Sequence, residues 1–171
     1  NGNSGPNCQT GSAPGSRTIS YSVGAIDSSN TIASFSSRGP GQDGEIKPNI
    51  AAPGVAVRSA WPVGGYHTIT GTSMASPHVA GTVALMWSAS PVLERAIEDT
   101  RELLDQTALD TEDLSCGGEP GNNNVWGQGR IDAHAAVAAA LGDDPPPPDL
   151  VADFDHDCEK NGGARTCTFD G

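Results

Sequence analysis

In the stretch TITGTSMASPHVAGTVALMWSASP, residues 68–91, a polar, β-branched run passes through Gly71 into an alanine-rich helical pattern, and Ser73 falls in its first turn. Unpaired backbone N–H groups and the positive end of the helix dipole favour developing negative charge there, so the hydroxyl faces an anion site. The chemistry on offer is nucleophilic attack. Pro77, four residues on, has no N–H to give the Ser73 carbonyl, which predicts a distorted first turn. A Ser or Thr before a helix is more often only an N-cap, and the tripeptide GTS alone does not exceed that reading.

A serine hydroxyl also needs a base. His78 lies five positions along the helix from Ser73, which turns it about 140° to another face, so it is expected to pack beside Pro77. His67 precedes Ser73 by six residues, up to about 20 Å along an extended chain. His134 sits among alanines in a later helix, and His156 belongs to a trailing segment. None is expected to serve Ser73.

The elements that must hold this serine are legible in outline. Short β-like runs occur at TISYSVGAI (18–26), TIASFSS (31–37) and AVRSAW (56–61), joined by glycine- and proline-rich turns. In the helix after Ser73, Val79, Val83 and Met86 follow helical spacing. Ala75, Ala80, Gly81 and Ala84 are small enough for close packing on several sides, which predicts a buried central helix. PVLERAIEDTRELLDQTAL (91–109) opens on Pro91 and sets Leu93, Ile97, Leu103 and Leu104 on one stripe, as a surface helix would. RIDAHAAVAAAL (130–141) is a third helix, closed at Gly142. Strands alternating with helices make the chain α/β.

The 171 residues, 36% of them hydrophobic, suffice for roughly one domain's core. Neither end carries a start signal or a closing element, so the chain reads as a piece of a longer protein. A net charge of −12 argues against nucleic-acid binding, which needs a basic face. No apolar run is long enough to span a membrane. GDDPPPPD (142–149) can be neither helix nor central strand and reads as a stiff polyproline-II spacer. Beyond it, 150–171 alternates apolar and polar residues at Leu150, Ala152 and Phe154, like the first strand of an antiparallel sandwich.

GTSMASPHVAG (71–81) resembles, almost letter for letter, the nucleophile motif of the subtilisin-like serine proteases. SVGAIDSSNTIASFSSRGP (22–40), KPNIAAPGV (47–55) and GQGRIDAHAAV (127–137) look like further segments of that family in the same order, and GNSG (2–5) resembles its oxyanion-asparagine loop. The resemblance covers residues 1–141 and implies the carboxy-terminal half of a subtilisin-like parallel-sheet domain. Its function would be that of a secreted serine endopeptidase acting on extended peptides, monomeric, with no cofactor for catalysis. Ser73 would be the nucleophile, and Asn3 and the Ser73 N–H would hold the oxyanion, with Thr72 and Gly71 in support. Gly2, Pro14 and Gly15 would border the substrate, with a cis Ala13–Pro14 bond. The family's aspartate and histidine precede its serine, and neither motif is present, so the chain alone is expected to be inactive. The carbonyls of Gly15, Arg17 and Ser20 correspond to a weak cation site, so structural calcium is a possibility, although GPGQDGEIKPN (39–49) departs from the pattern that supplies carboxylates. DTEDLS (110–115) is acidic, but such a run is usually a solvated loop. Residues 150–171 resemble the opening of a PKD-like β-sandwich.

Four cysteines without CxxC spacing fit two disulfides in an oxidising compartment. Cys158 and Cys167, close in sequence, most simply pair with each other, leaving Cys8 with Cys116. Two readings from other classes remain: a secreted scaffold or binding protein that keeps the fold without a base, and an α/β-hydrolase. The latter's elbow needs glycine two residues after the serine, where this chain has Ala75.

Overall fold

The computed structural model describes residues 1–62, 64–142, 156–161 and 164–169. At its centre, β1 (Val23–Ile26) and β2 (Ile50–Pro53) pair in parallel with Val23 opposite Ile50 and Ile26 opposite Pro53. All of β1 and the first three residues of β2 are buried, which explains why VGAI and IAA read as unbroken apolar runs without alternation. The sheet is extended at Ala51, whose N–H donates to Gly129 and whose carbonyl accepts from Ile131.

Helix α1 (Thr72–Ala89) lies against β1 and β2 and packs on α3 (Ala133–Leu141). Thr72, Ala75, Val79, Thr82 and Met86 are its buried residues, a single stripe at alternating steps of three and four. The helix is therefore buried along one side only, not all round as its composition suggests, and Leu85 on the other side is 57% exposed. Small residues such as Ala80, Gly81 and Ala84 allow close packing but do not require it. Pro77 sits in α1 without interrupting it.

The segment after α1 departs from the expected continuous helix. Pro91–Leu93 form one 3₁₀ turn, Arg95 takes φ 68°, and α2 starts afresh at Ile97 and runs to Thr107. Leu93 and Leu104 are buried, whereas Ile97 is exposed. Trp87 Nε1 donates to Thr100 Oγ1 at 2.9 Å, joining α1 to α2. Helix α3 follows its sequence signals: Asp132 accepts from the Ala135 N–H at 2.9 Å, and Gly142, at φ 75°, caps its end.

Of the three β-like runs, 31–37 is no strand and makes only an isolated bridge between Ile32 and Ile26. Asp27 Oδ1 accepts from the N–H groups of Ser29 and Thr31, bending the chain into a tight turn just before it. AVRSAW does supply β3 (Val57–Trp61), antiparallel to β4 (Gly65–Ile69) in a largely exposed hairpin. Short β5 (Gly118–Glu119) and β6 (Asn122–Asn123) form a second hairpin, and β7 (His156–Asn161) pairs antiparallel with β8 (Ala164–Phe169), with Cys158 opposite Cys167. The spacer beyond Gly142 and the alternation at Leu150, Ala152 and Phe154 lie outside the described residues. Cys8 and Cys116 form the expected disulfide.

Candidate active site

Asn3 reaches α1 from 69 residues upstream of Thr72. Its loop is laid against residues 34–37: Gly5 N–H donates to the Phe35 carbonyl at 2.8 Å, Ser37 N–H to Gly2 at 2.9 Å, and Ser4 N–H to Ser37 Oγ at 3.0 Å. A Cβ on Gly5 would stand 2.2 Å from the Ser36 carbonyl oxygen, so only glycine fits this close approach. So held, Asn3 Oδ1 accepts from the Thr72 N–H at 2.9 Å and from Thr72 Oγ1 at 3.0 Å. The Thr72 amide is one of the helix's unpaired terminal donors, and it needs an oxygen. That requirement leaves the other end of the carboxamide, Nδ2, out of this contact.

Nδ2 and the Ser73 backbone nitrogen lie on the same side. A Cβ built on Gly71 would stand 3.4 Å from Asn3 Nδ2 and 3.8 Å from Ser73 N. Two nitrogen donors, 70 residues apart in sequence, thus both lie close to Gly71, and Ser73 is exposed. Thr72 is buried, and its hydroxyl hydrogen is directed at Asn3 Oδ1, so it steadies the carboxamide.

Ser73 stands between two concavities. One, of about 570 Å³, is lined by Gly2, Asn3, Pro14, Gly15 and Ser73, gathering every residue expected at the substrate except the supporting Gly71. The Ala13–Pro14 bond is cis, as the resemblance implies. The other, of about 460 Å³, is lined by Trp61, His67, Met74, His78 and Ser73. Sequence separation alone missed this second grouping: the β3–β4 hairpin doubles back, and His67 comes to the same cavity as Ser73, its ring centroid 4.9 Å from that of Trp61. No hydrogen bond joins the Ser73 hydroxyl to either histidine among the described residues. His78 is exposed rather than packed, and its Nδ1 lies 2.9 Å from the Met74 carbonyl oxygen. Pro77 and His78 are exposed on α1 and face the β3–β4 hairpin across that cavity.

Near the first cavity the chain buries polar groups that composition did not reveal. The Tyr21 hydroxyl donates to Asp105 Oδ1 at 2.6 Å; burial raises the pKa of both groups. Lys47 is buried, its Nζ donating to the Ser20 carbonyl. The apolar flanks Ile46 and Pro48 are its only sequence signal.

The profile of the subtilase family, peptidase S8, matches residues 1–129. The chain belongs to the subtilase family. It is 38% identical over 135 residues to subtilisin E of Bacillus subtilis, covering 74% of this chain and 31% of that protein. Bacillopeptidase F of the same organism is 38% identical over 127 residues, 74% of this chain and 9% of its own length. Among solved structures, the prenylagaramide maturation protease PagA superposes with a TM-score of 0.62 at 26% identity, covering 82% of this chain and 48% of that one. The patellamide maturation protease PatA gives 0.62 at 27%, covering 82% and 49%. This subtilase chain thus spans about a third or less of these two curated relatives and about half of the solved ones, and its fold is that of a subtilisin-like serine protease.

Proposed function

We propose that this chain supplies the nucleophile and the oxyanion site of a serine endopeptidase. The observation that supports the reading best is the double anchoring of Asn3 Oδ1 on Thr72, which leaves Nδ2 at Gly71, close to which the Ser73 nitrogen also lies. Ser73 Oγ attacks the carbonyl carbon of an extended peptide. The carbonyl oxygen gains the charge and is received by Asn3 Nδ2 and the Ser73 N–H, donors fixed before the reaction begins. The C–N bond breaks, the amine leaves with a proton, and water releases the acyl group from Ser73.

The proton on Ser73 requires a base. We place the family's histidine and aspartate in sequence outside residues 1–171, so that residues 1–141 bring one part of the catalytic centre and are inactive by themselves. Gly2, Pro14 and Gly15 form the wall on which the peptide lies. The Cys8–Cys116 bond supports an extracellular setting, since such bonds persist in oxidising compartments. Antiparallel pairing of β7 with β8 is in keeping with a PKD-like module after the spacer.

The test is covalent labelling of the intact protein by a fluorophosphonate. Ser73 is expected to carry the label, and Ser73→Ala to abolish it. An unlabelled Ser73 alongside an intact histidine and aspartate would sink the hydrolytic reading in favour of a binding scaffold.

A further inference from the structure

Lys47 is 1% exposed and heads the fully buried side chains by volume. The salt bridges among the described residues are Arg95 with Glu94 and Arg101 with Glu98, so Lys47 has no carboxylate partner. Its Nζ donates instead to the Ser20 carbonyl oxygen and, at 2.9 Å, to Asn49 Oδ1. Burial lowers the pKa of this ammonium, against the opposing field of Glu45. A charge withdrawn from water is costly unless the surrounding oxygens are arranged to receive it. Carbonyl and carboxamide oxygens converging on one point are also the donors a hard metal ion takes.

The Ser20 carbonyl is one of the three that correspond to the family's weak cation site. A second, that of Arg17, accepts the Ser20 N–H at 3.0 Å. The carboxylates of Asp43 and Glu45 are engaged by Thr18 Oγ1, which donates to them at 3.3 and 3.1 Å, and not by Lys47. These residues do not fit a calcium ion, because one ligand oxygen already holds a positive charge that would repel it.

We propose that the Lys47 ammonium is a built-in cation that takes the place of the metal and pins the wall of the first cavity. Asn49 Oδ1, besides receiving Lys47, accepts the Ser22 N–H at 2.8 Å, and Ser20 Oγ donates to the Pro14 carbonyl at 2.7 Å. One side chain therefore ties Ser20, Ser22 and the Pro14 turn together. All three residues line the cavity. A covalently attached cation cannot be removed by a chelator, so the wall keeps its shape without divalent ions. The inference depends on family membership and on these contacts, not on hydrolysis by Ser73.

Thermal unfolding of the intact protein in a chelator and in millimolar calcium tests it. Lys47→Glu sets a carboxylate beside the Ser20 carbonyl and Asn49. It is expected to gain a calcium-dependent rise in Tm of roughly 5–10 °C, as about hundredfold saturation of one site gives in a chain of this size. The wild type is expected to show a clearly smaller response, and a rise as large as that of Lys47→Glu overturns the proposal. Should Lys47→Glu fail to fold, the wild type suffices. Its Lys47 ammonium protons, shielded from water, should give a resolved ¹H–¹⁵N signal that is unchanged by calcium. A signal lost on adding calcium, or never observed, overturns the proposal.

Discussion

Asn3→Asp separates the two tasks of one carboxamide. The oxygen of Asn3 accepts from the Thr72 N–H at 2.9 Å and the Thr72 hydroxyl at 3.0 Å, and an aspartate keeps both acceptors. It also puts a negative charge at the amino-terminal end of α1, worth about 0.3–1 kcal/mol in its favour. At some 2–4 °C per kcal/mol for a chain of this size, Tm should hold or rise by about 1–4 °C. The nitrogen fares differently. Where Nδ2 stood at Gly71, an anionic oxygen would face the charge that develops on the substrate. Removal of such a donor in subtilisin, a member of the same family, costs that enzyme about 10²–10³ in kcat. Repulsion adds to the lost hydrogen bond, so Asn3→Asp should lose at least as much. Asn3→Ala is the control: it gives up donor and acceptors together, lowering stability by about 1 kcal/mol and Tm by about 2–4 °C. The assay pairs kcat on a peptide substrate with calorimetric Tm, both on the intact protein. An Asn3→Asp enzyme within about tenfold of wild-type kcat, or one whose Tm falls as far as the alanine variant's, would refute the reasoning.

Replacing Cys8 and Cys116 together by serine opens a loop of 108 residues' separation. Chain entropy values that closure at about 4.8 kcal/mol. Circular dichroism should then show Tm lower by roughly 10–20 °C, and a fall under about 3 °C would count against an entropic role. Asp105 is held above its ordinary pKa of 3.8, chiefly by burial. A raised carboxyl pKa means that the folded state binds the proton more tightly, so stability is lost as pH rises from 3.8 through the folded value. Asp105→Asn keeps an acceptor for Tyr21 and escapes that loss. Its denaturation midpoint should match or exceed wild type at neutral pH, with the advantage vanishing below pH 3.8; a variant less stable at pH 7 than at pH 3 relative to wild type contradicts this.

Features that depend on local chemistry were legible in the sequence. Ser73 in a helical first turn, the Gly142 terminus of α3 and the Cys8–Cys116 pair all follow from short-range rules or from counting. The resemblance then paired Asn3 with Ser73. What escaped depended on tertiary partners. Residues 31–37 have strand-like composition, yet Ser36 Oγ accepts from the Ala25 N–H and Ser37 Oγ from Ser4, so the polar side chains, not a ladder, hold the segment. The helix expected over 91–109 breaks at Glu94–Ala96, where Arg95 takes φ 68°, outside helical backbone, after the 3₁₀ turn that holds the buried Leu93. Beyond its apolar flanks Ile46 and Pro48, Lys47 has no pattern that announces burial, because its partners lie 27 residues upstream, at Ser20, and two downstream, at Asn49. His67 reaches the cavity beside Ser73 because contour length sets only an upper limit and the β3–β4 hairpin folds back.

The grip of Thr72 on Asn3 has a mechanical consequence. With the amide and the alcohol carried on one hydrogen-bonded unit, a thermal displacement of the first turn of α1 moves both in phase. Their mutual spacing then fluctuates less than the position of either relative to the rest of the cleft, which lets a marginally stable scaffold deliver ångström-level registry where it counts.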